Sequence, residues 1–219
     1  MANDCAGIVQ LCALRVARLD ASGVPNPGAD NLYITDSMVS LGITPVMKDG
    51  TEIQTPNGCS VNIVDYKTPK SYRRVDVELV LAIPDPELEE MIAGYTLLTL
   101  AGSTVGAMMP ALATALDEDG VSLEGWSKRV INGKLATTNP YLRWVLPKTN
   151  NWTIGPRTLS DGSVGAVLNG EGYANVNWYD GPLNDWYGLT DIDMSAAFGY
   201  VQDTAVPDAA CGYAVLAAS

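Results

Sequence analysis

Most of the chain is written in the two-residue period of half-buried strands. In residues 74–83, RVDVELVLAI, Val75, Val77, Leu79, Leu81 and Ile83 fall on one face by strict alternation. Arg74, Asp76 and Glu78 open the opposite face, which therefore meets water or a charged partner. Ile8 to Leu19 reads the same way. There Val9, Leu11 and Ala13 alternate with Gln10 and Cys12, and Arg15 and Arg18 enter near the end. Leu32–Thr35 is a short strand. From Ser37 to Met47, Val39, Leu41 and Ile43 alternate with Met38, Ser40, Gly42 and Thr44, and Pro45 marks an edge or a bend. Val121–Ile131 sets Ser122, Glu124, Trp126 and Lys128 against Val121, Leu123 and Gly125, and Asn132-Gly133 signals a tight turn after it. Tyr141–Leu146 carries Leu142, Trp144 and Leu146 on one face. Gly162–Asn177 is expected to hold one or two further strands, with closing pieces at Ala196–Val201 and near Cys211–Leu216.

The period changes once. Pro84-Asp85-Pro86 stops the ladder and starts a helix over Pro84–Gly94. Asp85 is placed to accept bonds from the first orphan amides, and Pro86 suits a first-turn position that needs no donor. Glu87, Glu89 and Glu90 sit at the positive end of the helix dipole. Leu88, Met91 and Ile92 share a face, and Gly94 suits the left-handed C-terminal cap. A helix this short is marginal alone, so it must dock on the sheet.

Other stretches carry neither period. Asp20–Asp30 is turn-rich, with Gly23, Pro25, Pro27 and Gly28. Lys48–Ser60, KDGTEIQTPNGCS, is polar and spans about a dozen residues where a hairpin connection usually takes about two to five. It reads as a long loop, with Asp49, Glu52, Gln54 and Asn57 as the side chains that an arm ordering on a neighbouring subunit would present. Tyr95–Ala115 is small, apolar and glycine-bearing, and is expected to be irregular and packed against protein. The sum is a single domain over residues 1–219. Its fold is all-β, a β-sandwich or barrel with one flanking short α-helix.

Composition narrows the chemistry. There are 13 lysines and arginines against 25 aspartates and glutamates, a net charge of −12. That argues against binding DNA by neutralising its phosphates. The chain has no histidine, which removes a Ser-His-Asp triad, a Cys-His dyad, a histidine-ligated zinc site and a histidine pH switch. Cys5, Cys12, Cys59 and Cys211 show no C-x-x-C spacing, so free thiols made in a reducing cytoplasm are the expectation. The N-terminal apolar run is too short and poorly flanked for a signal peptide. No stretch approaches the roughly 18 uncharged apolar residues of a membrane-spanning helix.

Weaker motifs stand against plain structural readings. Asp180 and Asp185 beside Trp178, Tyr179, Trp186 and Tyr187 are the parts of a glycosidase or sugar-binding module, and equally those of turns and core anchors. Asp117, Glu118 and Asp119 lack the spaced oxygens of a calcium loop. Gly162-Ser163-Val164-Gly165 matches no phosphate loop. The basic pair Lys128-Arg129 reads as a solvated face or an ion pair between subunits.

Four blocks and the tail carry a resemblance. They are IVQLCALRVARLD (8–20), NLYITDSMVSLGITP (31–45), RRVDVELVLAIPDPELEEMIAG (73–94), and GVSLEGWSKRVINGKL with PYLRWVLP (120–147). WYDGPLNDW and CGY near the end belong with them. In order and spacing the chain resembles the major tail tube proteins of long-tailed, non-contractile, siphovirus-type phages of actinobacteria, and residues 95–119 match least. The resemblance implies a fold shared with type VI secretion tubes, six-membered rings stacked into a hollow tube, and strands of all subunits joined around a lumen. It implies a virion structural protein made in the host bacterial cytoplasm, with no catalysis, cofactor or metal. Its partners would be its own copies and other tail proteins (tape measure, terminator and distal tail), and DNA would pass through without specific binding. Asp76 and Glu78 become lumen candidates, unless they pair with Arg73, Arg74 or Lys128 across an interface. Asp49, Glu52, Gln54 and Asn57 become ring-stacking candidates. Asp85, Leu88, Met91 and Ile92 become helix and interface candidates. The other readings are a carbohydrate-binding or glycosidase-like β-sandwich and a single-ring tail completion protein.

Overall fold

A computed structural model of the chain describes residues 7–26, 29–56, 59, 62–111, 119–157, 165–178, 181–182, 195–207 and 212–213. Its elements in chain order are β1 (Gly7–Arg18), a 3-10 turn at Ala29–Asn31, β2 (Leu32–Thr35), β3 (Met38–Lys48), β4 (Glu52–Pro56), β5 (Asn62–Lys67) and β6 (Ser71–Leu81). Helix α1 (Pro86–Ala93) is followed by β7 (Thr96–Leu100), β8 (Ser103–Met108), β9 (Val121–Ile131), β10 (Lys134–Leu135), β11 (Tyr141–Ile154), β12 (Ala166–Tyr173), β13 (Gly199–Asp203) and β14 (Gly212–Tyr213). The all-β expectation with one short helix holds.

One antiparallel sheet runs β14-β2-β1-β9-β11-β12-β6-β3. The long strand β11 is shared: its first half pairs with β13 and its second half with β12. The sheet curls until β3 meets β1 through side chains without a ladder between them. At that crossing a Cβ on Gly125 would lie 3.2 Å from Leu41 and 3.3 Å from Leu11.

The concave face is the core. Val75, Val77, Leu79 and Leu81 of β6 are buried against Leu14, Val16, Leu123, Leu146 and Leu168. Removing a side chain such as Leu79 to alanine is expected to cost about 2–5 kcal/mol, the range for fully buried leucines. Ile83 departs from the alternation and is 60% exposed. The ladder ends at Leu81, where the chain turns toward Pro84, so Ile83 no longer has a sheet to alternate on. Trp152 lies over Gly170, where a Cβ would come within 2.5 Å of its ring, so β12 needs a glycine there.

The helix closes the core. Asp85 is its N-cap and accepts from the Leu88 amide at 3.2 Å, while the Tyr33 hydroxyl donates to the same carboxylate at 2.7–2.8 Å. Gly94 ends it with φ 67°. Leu88, Met91 and Ile92 are buried. The acidic first turns are also tied down: the Glu90 carboxylate accepts twice from Arg18 at 2.6 and 2.7 Å, Glu89 pairs with Arg157, and Glu87 accepts from Thr104 at 3.3 Å.

Three stretches differ from the sequence reading. Lys48–Ser60 is not a loop throughout. β4 pairs with β5, so the β3–β6 ribbon continues past Lys48↔Ser71 into a second two-stranded ribbon. Every side chain of β4 is exposed, so no buried face imposed a period. The described part of Tyr95–Ala115 is likewise not irregular, since β7 and β8 form a hairpin. Uncharged residues fill both of its faces, which erased the alternation. The strand placed at Tyr141–Leu146 runs on to Ile154 through Pro147. Among the described residues of 162–177 there is one strand, within the expected one or two. The Asn132-Gly133 turn stands as expected, both residues having positive φ.

A second buried layer lies on the convex side of β1, β9 and β11. Glu124, 1% exposed, accepts from Arg15 Nε at 2.5 Å and from Arg143 Nε at 2.9 Å. Both guanidinium groups lie over the Trp126 ring, at 5.3 and 5.1 Å from its centre. The Trp126 indole donates to Asp203 of β13 at 3.0 Å. Leu19, Val145 and Trp178 form a small apolar cluster on the same side.

Candidate functional site

Strand alternation that buries Val75, Val77 and Leu79 turns Asp76 and Glu78 outward. Antiparallel registry then collects polar residues beside them. Asp76 stands between Thr44 of β3 and Glu171 of β12, and Glu78 between Gly42 and Asn169. Asn151 and Thr153 of β11 complete an open hollow of about 620 Å³ on this outer face. Both lumen candidates therefore share one surface with a third carboxylate that the sequence reading missed.

The electrostatics of the two acids differ. The Arg74 guanidinium bonds Asp76 at 3.0 Å and Glu171 at 3.1 Å. Part of the alternative reading holds here: Arg74 does pair with Asp76, but within one chain. Lys128 instead donates to Gln10 at 3.0 Å. Glu171 also accepts from the Tyr173 hydroxyl at 2.5 Å and the Asn151 amide at 3.0 Å. Those donors, Tyr173 first, hold its carboxyl below the ordinary 4.5, and the same bond raises Tyr173. Asp76 raises Arg74 in turn. Glu78 makes no hydrogen bond or ion pair among the described residues. Three carboxylates outnumber Arg74 and the neighbouring Arg73, whose charge also acts on Glu171, so the hollow keeps a negative balance and repels a polyanion.

The stacking candidates lie elsewhere, at the base and along the β4–β5 ribbon. Asp49 bonds Lys70 at 2.8 Å, which lowers Asp49 and raises Lys70. Glu52 lies 3.8 Å from Lys67 and accepts from Gln54 at 2.5 Å. Asn57 lies outside the described residues. Asp85, Leu88, Met91 and Ile92 belong to the helix cap and its buried face, so the last three are core contacts and not a surface for a neighbour.

The sugar-binding reading loses its described aromatic. Trp178 is 1% exposed and cannot stack on a ligand. Tyr179, Asp180, Asp185, Trp186 and Tyr187 lie outside the described residues, as do Asp117, Glu118, Gly162-Ser163-Val164, Cys5 and Cys211. Among the described residues no group of three or more aspartate, glutamate, cysteine or histidine side chains is placed to hold a metal ion. No helix among them is long and apolar enough to cross a membrane.

Glu171 and Asn169 were missed because their roles depend on registry between distant strands, and Arg157 because its partner Glu89 lies on the distant helix. β12 alone offered a signal, the alternation of Asn169 and Glu171 with glycines. No family model matches the sequence, and no curated protein matches it.

Proposed function

We propose that this protein is a structural subunit that polymerises, as stacked hexameric rings, into the tail tube of a siphovirus-type phage. The observation that carries the reading is the outer face of β3, β6, β12 and β11. It is polar and acidic and is backed directly by the apolar core. A bore that passes a genome needs such a surface, since each phosphate bound in transit would slow the next. Two exposed ribbons, β4–β5 and β7–β8, supply the extensions that join one subunit to another. The sequence resemblance supports the same reading, and no catalytic or cofactor role is assigned.

Negative-stain microscopy of the purified protein tests it. Long stacked tubes support the reading. Isolated rings favour a single-ring completion protein, and monomers that bind polysaccharide favour the sugar-binding alternative. Deleting Glu52–Asn57 is expected to leave a folded body that no longer stacks, and normal tubes from that variant would remove the ribbon from the mechanism.

A further inference from the structure

Two uncharged surfaces of the molecule are left uncovered among the described residues. The first is the β7–β8 hairpin. No charged residue occurs from Tyr95 to Ala111, and Leu98, Leu100, Val105 and Met108 are 43–71% exposed. Helix α1 packs along both of its strands, and Thr104, beside the turn at its tip, bonds Glu87, so it is presented as a fixed ridge. The second is a cleft of about 470 Å³ where β1 and β3 come together without a ladder. Ile8, Leu11, Val39, Leu41, Ile43 and Trp144 line it, and no charged side chain does. Strand edges are open on both sides of this seam. Among the described residues β3 pairs only with β6, and residues 7–13 of β1 pair only with β9. An open edge beside apolar side chains accepts an added strand.

We infer that the β7–β8 hairpin of one copy docks in the β1–β3 cleft of the next. Charge selects the pairing. The other projecting ribbon carries Glu52, Asp65 and Lys67, and is unsuited to an uncharged cleft. Three other surface hollows among the described residues contain Asp76, Glu78 and Glu171, or Arg73 and Arg74, or Arg18 and Glu90. The hairpin's outer strand edge matches the open edge of β3 in kind. Because ridge and cleft are different surfaces of one chain, the contact is head-to-tail. Repeated, it closes a ring or extends a filament. This rests on the self-assembly reading and names the surfaces that make it.

The test uses two double variants of the full chain at positions that are already well exposed, so the fold should survive, as circular dichroism will show. One is Leu98→Asp with Leu100→Asp, and the other is Ile8→Asp with Val39→Asp. The wild type should associate with rising concentration in sedimentation velocity, and each variant alone should stay monomeric. A one-to-one mixture should form dimers and stop there, because one intact ridge meets one intact cleft. Association of either variant like wild type, or a mixture that stays monomeric, overturns the inference. If such variants still build tubes, the cleft is wrong and the tube reading stands. A second probe needs no assembled tube. A benzoylphenylalanine in place of Leu100 should photo-crosslink between copies to the residues that line the cleft, on β1 (8–11), β3 (39–43) or Trp144, and crosslinks mapping elsewhere overturn the inference. A wild type that stays monomeric at every concentration and gives no such crosslink overturns both readings.

Discussion

Two charged constellations on this sheet use the same residue types to opposite ends. On the convex side of β1, β9 and β11, Glu124 is shut between Arg15 and Arg143 under β13. On the outer face of β6 and β12, Arg74 bridges Asp76 and Glu171 in an open hollow. Geometry differs little, since both have guanidinium and carboxylate groups in direct contact. Solvent differs greatly. A buried ion loses hydration that only its partners replace, so removing one partner strands the others. An ion pair in water has water as a ready substitute. The first constellation is therefore part of the framework, and the second is free to present charge to a passing ligand.

That contrast can be broken first at Glu124. Glu124→Gln removes the buried carboxylate that two buried guanidinium groups share and is expected to cost about 3–5 kcal/mol in denaturant unfolding. A loss below about 1 kcal/mol would put it with the surface pairs. Glu89 with Arg157 is an intermediate case, because Glu89 is 3% exposed and Arg157 31%. Arg157→Met should cost about 1–3 kcal/mol, as a buried carboxylate loses its donor. On the open face, Arg74→Gln should cost less stability than either of these by the same measurement.

The two environments also separate by pH. Glu171 is held below its ordinary 4.5. The stability it adds is present above that value and is lost as pH falls through the lower folded value. Burial raises Glu89 above 4.5 against the pull of Arg157. Its contribution runs the other way, present below 4.5 and lost as pH rises through the higher folded value. Unfolding measured from about pH 3 to 7 should therefore show opposite pH slopes for wild type minus Glu171→Gln and wild type minus Glu89→Gln. Slopes of the same sign would contradict one of the two environments. The smallest stability effect is expected for Asp76→Lys with Glu78→Lys. Assembly should survive and genome ejection should slow, read by the rate of DNA release from particles; unchanged rates would mean these acids do not face DNA.

What the sequence made legible follows from the same physics. β6 and α1 were readable because each has one buried face and one wet face, so Val75–Leu81 and Leu88, Met91 and Ile92 printed their periods directly. Asp85 and Gly94 were readable as caps because their roles are local. β4 was not, since all its side chains are exposed, and β7–β8 was not, since neither strand carries charge. β9 was placed correctly, yet the burial of Glu124 on its second face was hidden. It depends on Arg15, Arg143 and Asp203, 109, 19 and 79 residues away in sequence, figures fixed by their numbering alone. The acid face was half legible: Asp76 and Glu78 came from alternation within one strand, whereas Glu171 joined them only through the register of β12 on β6.

The most direct measurement is a cryo-electron microscopy map of the assembly that the proposed function requires. The account predicts a repeating cylinder with Asp76, Glu78 and Glu171 turned into its bore. A cylinder whose bore is lined mainly by lysine and arginine, or a chain found outside any repeating cylinder, would contradict it.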